Sequence, residues 1–178
     1  MRFTLRFYIL VFTMFLLGSH AQAEQRIEHQ GREILTFDIP ELTLLRQREG
    51  RLTRAYFSRA FEDGKLKLTV TSQSWVHESA AERSFKTDQQ AQRKSPHSRL
   101  LSSPKISGLT KVLAYKSSWP FESRVLILYH KDFRCKLLVS GAGLDEEVLE
   151  SIFEELSESL KVLPRFRVDT SSLEPQDE

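Results

Sequence analysis

From residue 24 to about 75, apolar and polar positions alternate in short runs separated by turn residues, which predicts strands. Residues 26–29 and 33–38 flank Gln30-Gly31 and form a tight hairpin, with Ile39-Pro40 ending the second strand. The apolar stretch 42–45 is too short to assign between strand and helix. Residues 54–61 and 65–71 form a second hairpin about Asp63-Gly64. A two-residue turn there sets Phe61 opposite Leu66, Arg59 opposite Leu68 and Phe57 opposite Val70. One face then collects Phe57, Phe61, Leu66, Leu68 and Val70, and the other Ser58, Ala60, Lys67 and Thr69. A one-residue slip would mix the two faces.

Ser79 and Glu82 stand at capping-box spacing and open a helix running to about Lys94. Its apolar content is thin, chiefly Ala81 and Phe85, so it should lie on a sheet. Residues 95–108 contain Pro96 and Pro104 and read as irregular loop. Strands resume at 109–117, 124–130 and 133–140. About Lys131-Asp132, Leu126, Leu128, Cys135, Leu137 and Val139 share a face, while Val125, Ile127, Tyr129 and Leu138 make the reverse face half apolar. A pair apolar on both sides belongs in the middle of a covered sheet. Leu149, Ile152, Phe153, Leu156, Leu160 and Leu163 form a helical stripe, capped by Asp145 and stopped by Pro164. The expected fold class is α+β: one largely antiparallel sheet carrying a C-terminal amphipathic helix and a shorter middle helix.

The N-terminus changes the compartment. Behind Arg2 and Arg6 comes an almost wholly apolar run, 7–17, then Gly18-Ser19 and the small-residue site Ala21-Gln22-Ala23. This matches a cleavable secretory signal peptide over residues 1–23. The run falls short of the roughly 20 residues needed to cross a bilayer. The expected organisation is a signal peptide (1–23), a single domain (24–164) and a flexible C-terminal tail (165–178). No transmembrane segment is expected after cleavage.

Arg2 and Arg6 account for two of the 26 basic residues, which leaves 24 against 24 acidic ones in the exported part. Zero net charge and an export signal both argue against nucleic acid as a partner. Cys135 is the only cysteine, so no intramolecular disulfide is expected, and no cysteine sits at the cleavage site to carry a lipid. No Asn exists to accept a glycan. These features point to a bacterial periplasmic or secreted protein.

The segment 123–163 resembles the closing half of PsbP-like domains, an α/β/α sandwich group. The strand pair 124–140, the glycine-containing link and the helix ending Ser157-Glu-Ser-Leu-Lys-Val162 carry the likeness. Leu35-Thr-Phe-Asp-Ile-Pro40 resembles the early strand-then-proline segment of that group. Its members include photosystem II extrinsic subunits, Ran-binding relatives and exported bacterial proteins. The resemblance implies binding of protein partners and carries over no catalytic residue.

Candidate chemistry is sparse. Gly141-Ala-Gly143 follows a strand and precedes a helix, as in a dinucleotide fingerprint, but Glu146 takes the third glycine's place. Asp145, Glu146 and Glu147 would set carboxylates where a pyrophosphate should lie. His77-Glu78 opens like a zinc-protease helix, yet Ala81 stands where the second His is required. His29, His77, His97 and His130 show no ligand spacing, so neither metal nor cofactor is expected. Cys135 reads as an inert core thiol on the apolar face.

Charge segregation is the stronger signal. Between Gln89 and Phe121 stand Arg93, Lys94, Arg99, Lys105, Lys111 and Lys116 with no acid, whereas residues 145–158 carry seven acids and no base. A second basic run contains Arg46, Arg48, Arg51, Arg54 and Arg59, interrupted by Glu49. Solubility explains part of this, and a basic surface meeting an anionic partner explains it as well. Arg59 stands out among Phe57, Phe61 and Leu68, either snorkelling at an edge or flooring a pocket beside a carboxylate. The expected function is non-catalytic binding of an envelope protein, or of an anionic lipid or glycan surface, through Arg93, Lys94, Arg99, Lys105, Lys111 and Lys116. The alternatives are a periplasmic hydrolase whose dispersed site gathers His77 or His97 beside carboxylates, and a small-ligand carrier with an apolar cavity.

Overall fold

The computed structural model describes residues 24–75 and 79–163. The proposed leader, His77 and Glu78, Pro164 and the proposed tail lie outside the described residues. The elements in chain order are β1 (Gln25–Glu28), β2 (Glu33–Phe37), β3 (Thr43–Arg48), β4 (Leu52–Ala60), β5 (Lys65–Ser74), α1 (Ser79–Lys94), β6 (Ser98–Leu100), β7 (Lys111–Ser117), β8 (Ser123–Tyr129), β9 (Phe133–Ala142), α2 (Glu146–Ser159) and β10 (Lys161–Val162).

Two sheets form, both antiparallel. The larger has seven strands in the order β3-β4-β5-β9-β8-β7-β6, and the smaller has three, in the order β1-β2-β10. The expected fold is corrected on two points. Strands dominate and divide into two sheets rather than one, because the β1–β2 hairpin pairs with no strand of the larger sheet and instead takes Lys161 and Val162, which leave the helical path, against Thr36 and Leu35. The middle helix, α1, has 16 residues against 14 for α2, so it is the longer of the two.

The stripe read as continuous helix to Leu163 ends at Ser159. The Ser159 hydroxyl accepts a hydrogen bond from the Asp38 amide (3.1 Å), and Leu160 turns extended with its side chain still buried. The apolar stretch after Leu42 belongs to β3. The expected loop 95–108 contains β6, which zips onto β7 with Arg99 opposite Lys116.

Side-chain alternation gives the large sheet two unlike faces. On one, Phe57, Leu66, Leu68, Val70, Leu126, Leu128, Cys135, Leu137 and Val139 meet α2 and the small sheet in the main core. On the other, Leu113, Tyr115, Val125, Ile127 and Tyr129 form a smaller core with Ala81 and Phe85 of α1. Phe85 stands edge-on to Tyr129, their ring centroids 5.4 Å apart. This second core ends at β9, and strands β5, β4 and β3 run on beyond it.

Candidate functional site

Beyond α1, the same face of the large sheet continues across β9, β5, β4 and β3 without another element of the described residues packed over it. The register places Arg48, Arg54, Thr71 and Lys136 in one cross-strand row, and Arg46, Tyr56, Thr69 and Leu138 in the next. Ser58, Lys67 and Ser140 form a third row, and Gln73 and Arg134 share a fourth. None of these four strands contains Asp or Glu. Period-two alternation therefore collects Arg46, Arg48, Arg54, Lys65, Lys67, Arg134 and Lys136 on one side.

Arg134 is neutralised: its guanidinium donates to Asp88 of α1 at 2.8 Å, and the same carboxylate accepts from the Tyr129 hydroxyl at 2.6 Å. No carboxylate of a described residue forms an ion pair with the other six cations. Lys136 is half-buried in their midst. Burial, reinforced by the adjacent Arg134 charge and partly offset by Asp88, holds its pKa below the usual lysine value. A cation short of both water and counter-charge gains most from an arriving anion.

The six cations expected to form the contact do not share a surface. Lys111 and Lys116 stand five residues apart on β7 and point to opposite faces. Lys111 lies over the Phe85 ring at 5.9 Å. Lys116 pairs with Glu146 of α2 and lies 3.8 Å from Glu122. Arg93 and Lys94 end α1, Arg99 lies on β6 and Lys105 in the following loop, all four exposed.

Arg59 points to the main-core side. Its guanidinium lies 4.7 Å from the centroid of Phe61, and its Nε is 3.4 Å from Glu41 Oε2, near enough for charge pairing but out of line for a hydrogen bond. The turn at Pro40-Glu41, with Glu41 at φ 60°, presents that carboxylate. His29 Nδ1 lies 2.8 Å from the Thr53 hydroxyl and Nε2 2.8 Å from the Ser74 hydroxyl. The Ser74–His29 spacing is that of a nucleophile and its base, but the imidazole is only 3% exposed. Its role is to lash the β1–β2 turn to β4 and β5. Cys135 is fully buried, and burial pushes its thiol pKa far above the usual range, out of nucleophilic use.

Gly141 and Gly143 serve packing. A Cβ on Gly143 would stand 2.4 Å from the Asp63 carbonyl oxygen, and one on Gly141 2.9 Å from Leu144. Among the described residues, no group of three or more His, Cys, Asp or Glu side chains converges as metal ligands. No helix among them is long and apolar enough to cross a membrane.

No family model matches the chain, and no curated protein matches it. A solved structure does. The chain is similar to LpqN of Mycobacterium tuberculosis, described as involved in cell envelope biogenesis, with a TM-score of 0.51 and 13% identity. The match covers 85% of this chain and 96% of that one. At that identity the likeness shows a common fold.

The open face was only half legible in the sequence. The arginines of residues 46–54 stand out as a run, but Lys65, Lys67 and Lys136 join them only through strand pairing. The available signal was the lack of any acid in four strands, three of which (β3, β5 and β9) carry basic residues at two-residue spacing.

Proposed function

We propose that the protein is an exported, non-catalytic binding protein that holds an anionic component of the cell envelope on the open face of its large sheet. One observation carries this reading: Arg46, Arg48, Arg54, Lys65, Lys67 and Lys136 are gathered on a face that no other described element covers, with no carboxylate of a described residue paired to them. Folding alone gives no reason to collect like charges this way, since Arg48 directly faces Arg54 and like charges opposite one another destabilise a strand pair. An anion reverses the sign of that interaction. The envelope role described for LpqN and the secretory pattern of residues 1–23 support the compartment.

Retention on an immobilised sulfated polysaccharide tests the reading. The wild-type protein should elute at raised salt, and R54E/K67E should elute much earlier, because surface charge attraction is screened within a Debye length of about 8 Å at physiological ionic strength. Both positions face solvent, so thermal unfolding should hardly change. Reversing Arg93, Lys94 and Arg99 examines the α1 end separately. Loss of retention in that variant, with R54E/K67E unaffected, would move the site there.

A further inference from the structure

We infer that the β3–β4 hairpin is a membrane-docking element that seats this protein on an anionic phospholipid bilayer, an inference that rests on the binding reading above and names the anionic component. β3 is the edge of the large sheet, and the hairpin combines two features that make poor sense apart. Leu45 and Leu52 are 60% and 38% exposed, Leu52 on the same face as Arg54, whereas Leu44 stands opposite Phe57 on the core side. Leu45 sits at the register break between Leu44 and Arg46, with no cross-strand partner assigned. Interleaved with these leucines are Arg46, Arg48, Arg51 and Arg54, against the single acid Glu49, whose carboxylate accepts from Gln47 Nε2 at 3.2 Å.

Exposed leucines on an edge strand are an aggregation hazard, which proteins normally remove. Clustered arginines without counter-charges repel one another. A soluble polyanion would relieve the arginines but leave the leucines in water. A bilayer surface accommodates both, with the leucines at the acyl boundary and the guanidinium groups on lipid phosphates. Arginine suits that role better than lysine, since its planar fork bonds two phosphate oxygens at once. The flat sheet face behind the hairpin, with Lys65, Lys67 and Lys136, then lies toward the headgroups.

The test is co-sedimentation of the protein, exported with its own leader, with vesicles of phosphatidylglycerol and phosphatidylcholine in equal parts, and with pure phosphatidylcholine as the comparison. The wild type should bind only the mixed vesicles. R48Q/R54Q should lower the partition coefficient about 25-fold, at about fivefold for each charge lost near an anionic surface. L45S/L52S should lower it about tenfold or more while leaving retention on the sulfated polysaccharide unchanged. All variants should unfold at the wild-type temperature. Retention on the polysaccharide without vesicle binding would overturn this inference and leave the binding reading standing. Loss of both would end both. Vesicle binding that L45S/L52S leaves intact would also overturn it, as would concentration-dependent dimers that the same substitutions abolish in a protein without vesicle affinity.

Discussion

Arg124 is a fully buried guanidinium in a strand otherwise without charge, flanked on its face by Leu126. Its Nε donates to Glu150 at 2.6 Å and its Nη2 to Glu146 at 3.0 Å, both on α2, while Glu122 lies 3.8 Å away. The arginine is 1% exposed but its acidic partners are largely in water, so the cost of losing the pairing is asymmetric. E146Q/E150Q strands a buried charge, whereas R124M leaves carboxylates that water can solvate. Thermal unfolding should show R124M within about 1 kcal/mol of wild type, with E146Q/E150Q clearly less stable. The hydrogen bond and charge of Lys116, followed by those of Arg124, hold the Glu146 pKa below its ordinary 4.5. A depressed carboxyl stabilises the fold above that ordinary value and loses the contribution as pH falls through the folded value. The acid side of the stability curve should therefore steepen below pH 4.5 in wild type and flatten in E146Q.

Elements show where turn residues mislead. Asp63-Gly64 reads as the β4–β5 turn, yet Phe61 and Gly64 bond to each other across Glu62-Asp63, and Arg59 faces Leu66 rather than Leu68. Each partner moves by two positions, so the faces stay as expected while the pairs change. Gly64 is needed for close approach, because a Cβ there would stand 2.4 Å from the Ala142 carbonyl oxygen. The β4–β5 turn and the β9–α2 link thus lie back to back, with Gly143 at φ 75° as the counterpart. Gly143→Ala combines left-handed strain with a backbone clash against Asp63 and should cost about 2 kcal/mol or more in denaturant unfolding. The Gln30-Gly31 turn behaves as expected: both residues have positive φ, and His29 and Arg32 bond across it. No neighbouring element competes for its glycine.

At the scale of the whole molecule, α1 covers only part of its sheet face, and the part that no other described element covers carries the cations. Lys136 makes that arrangement measurable. Its lowered pKa means that, just below the ordinary lysine value of 10.5, a fraction of the folded protein lacks this proton. A bound anion favours the charged form and draws the proton back. Titration calorimetry of an anionic ligand in buffers of different ionisation enthalpy should reveal proton uptake in that alkaline window. Uptake should be smaller in K136M at the same pH.

Several features follow from local pattern alone: the alternating strands, both hairpins of the first half, the two-sided apolar pair at the sheet centre, and the extent of α1. Each is fixed within a few residues by side-chain period and turn chemistry. Tertiary structure decided the rest. The segment around Val162 is apolar enough for a helical stripe, and only the free edge of β2 makes it a strand. Arg59 and Arg124 interrupt apolar faces alike, and they differ only because α2 brings carboxylates to one and a turn glutamate meets the other. The six expected contact residues are neighbours in sequence but divide between two faces, since alternation separates Lys111 from Lys116. Lys67, Lys136 and Arg54 lie far apart in the chain and become one surface through register, because strand pairing reaches across sequence distance in a way that no local pattern records.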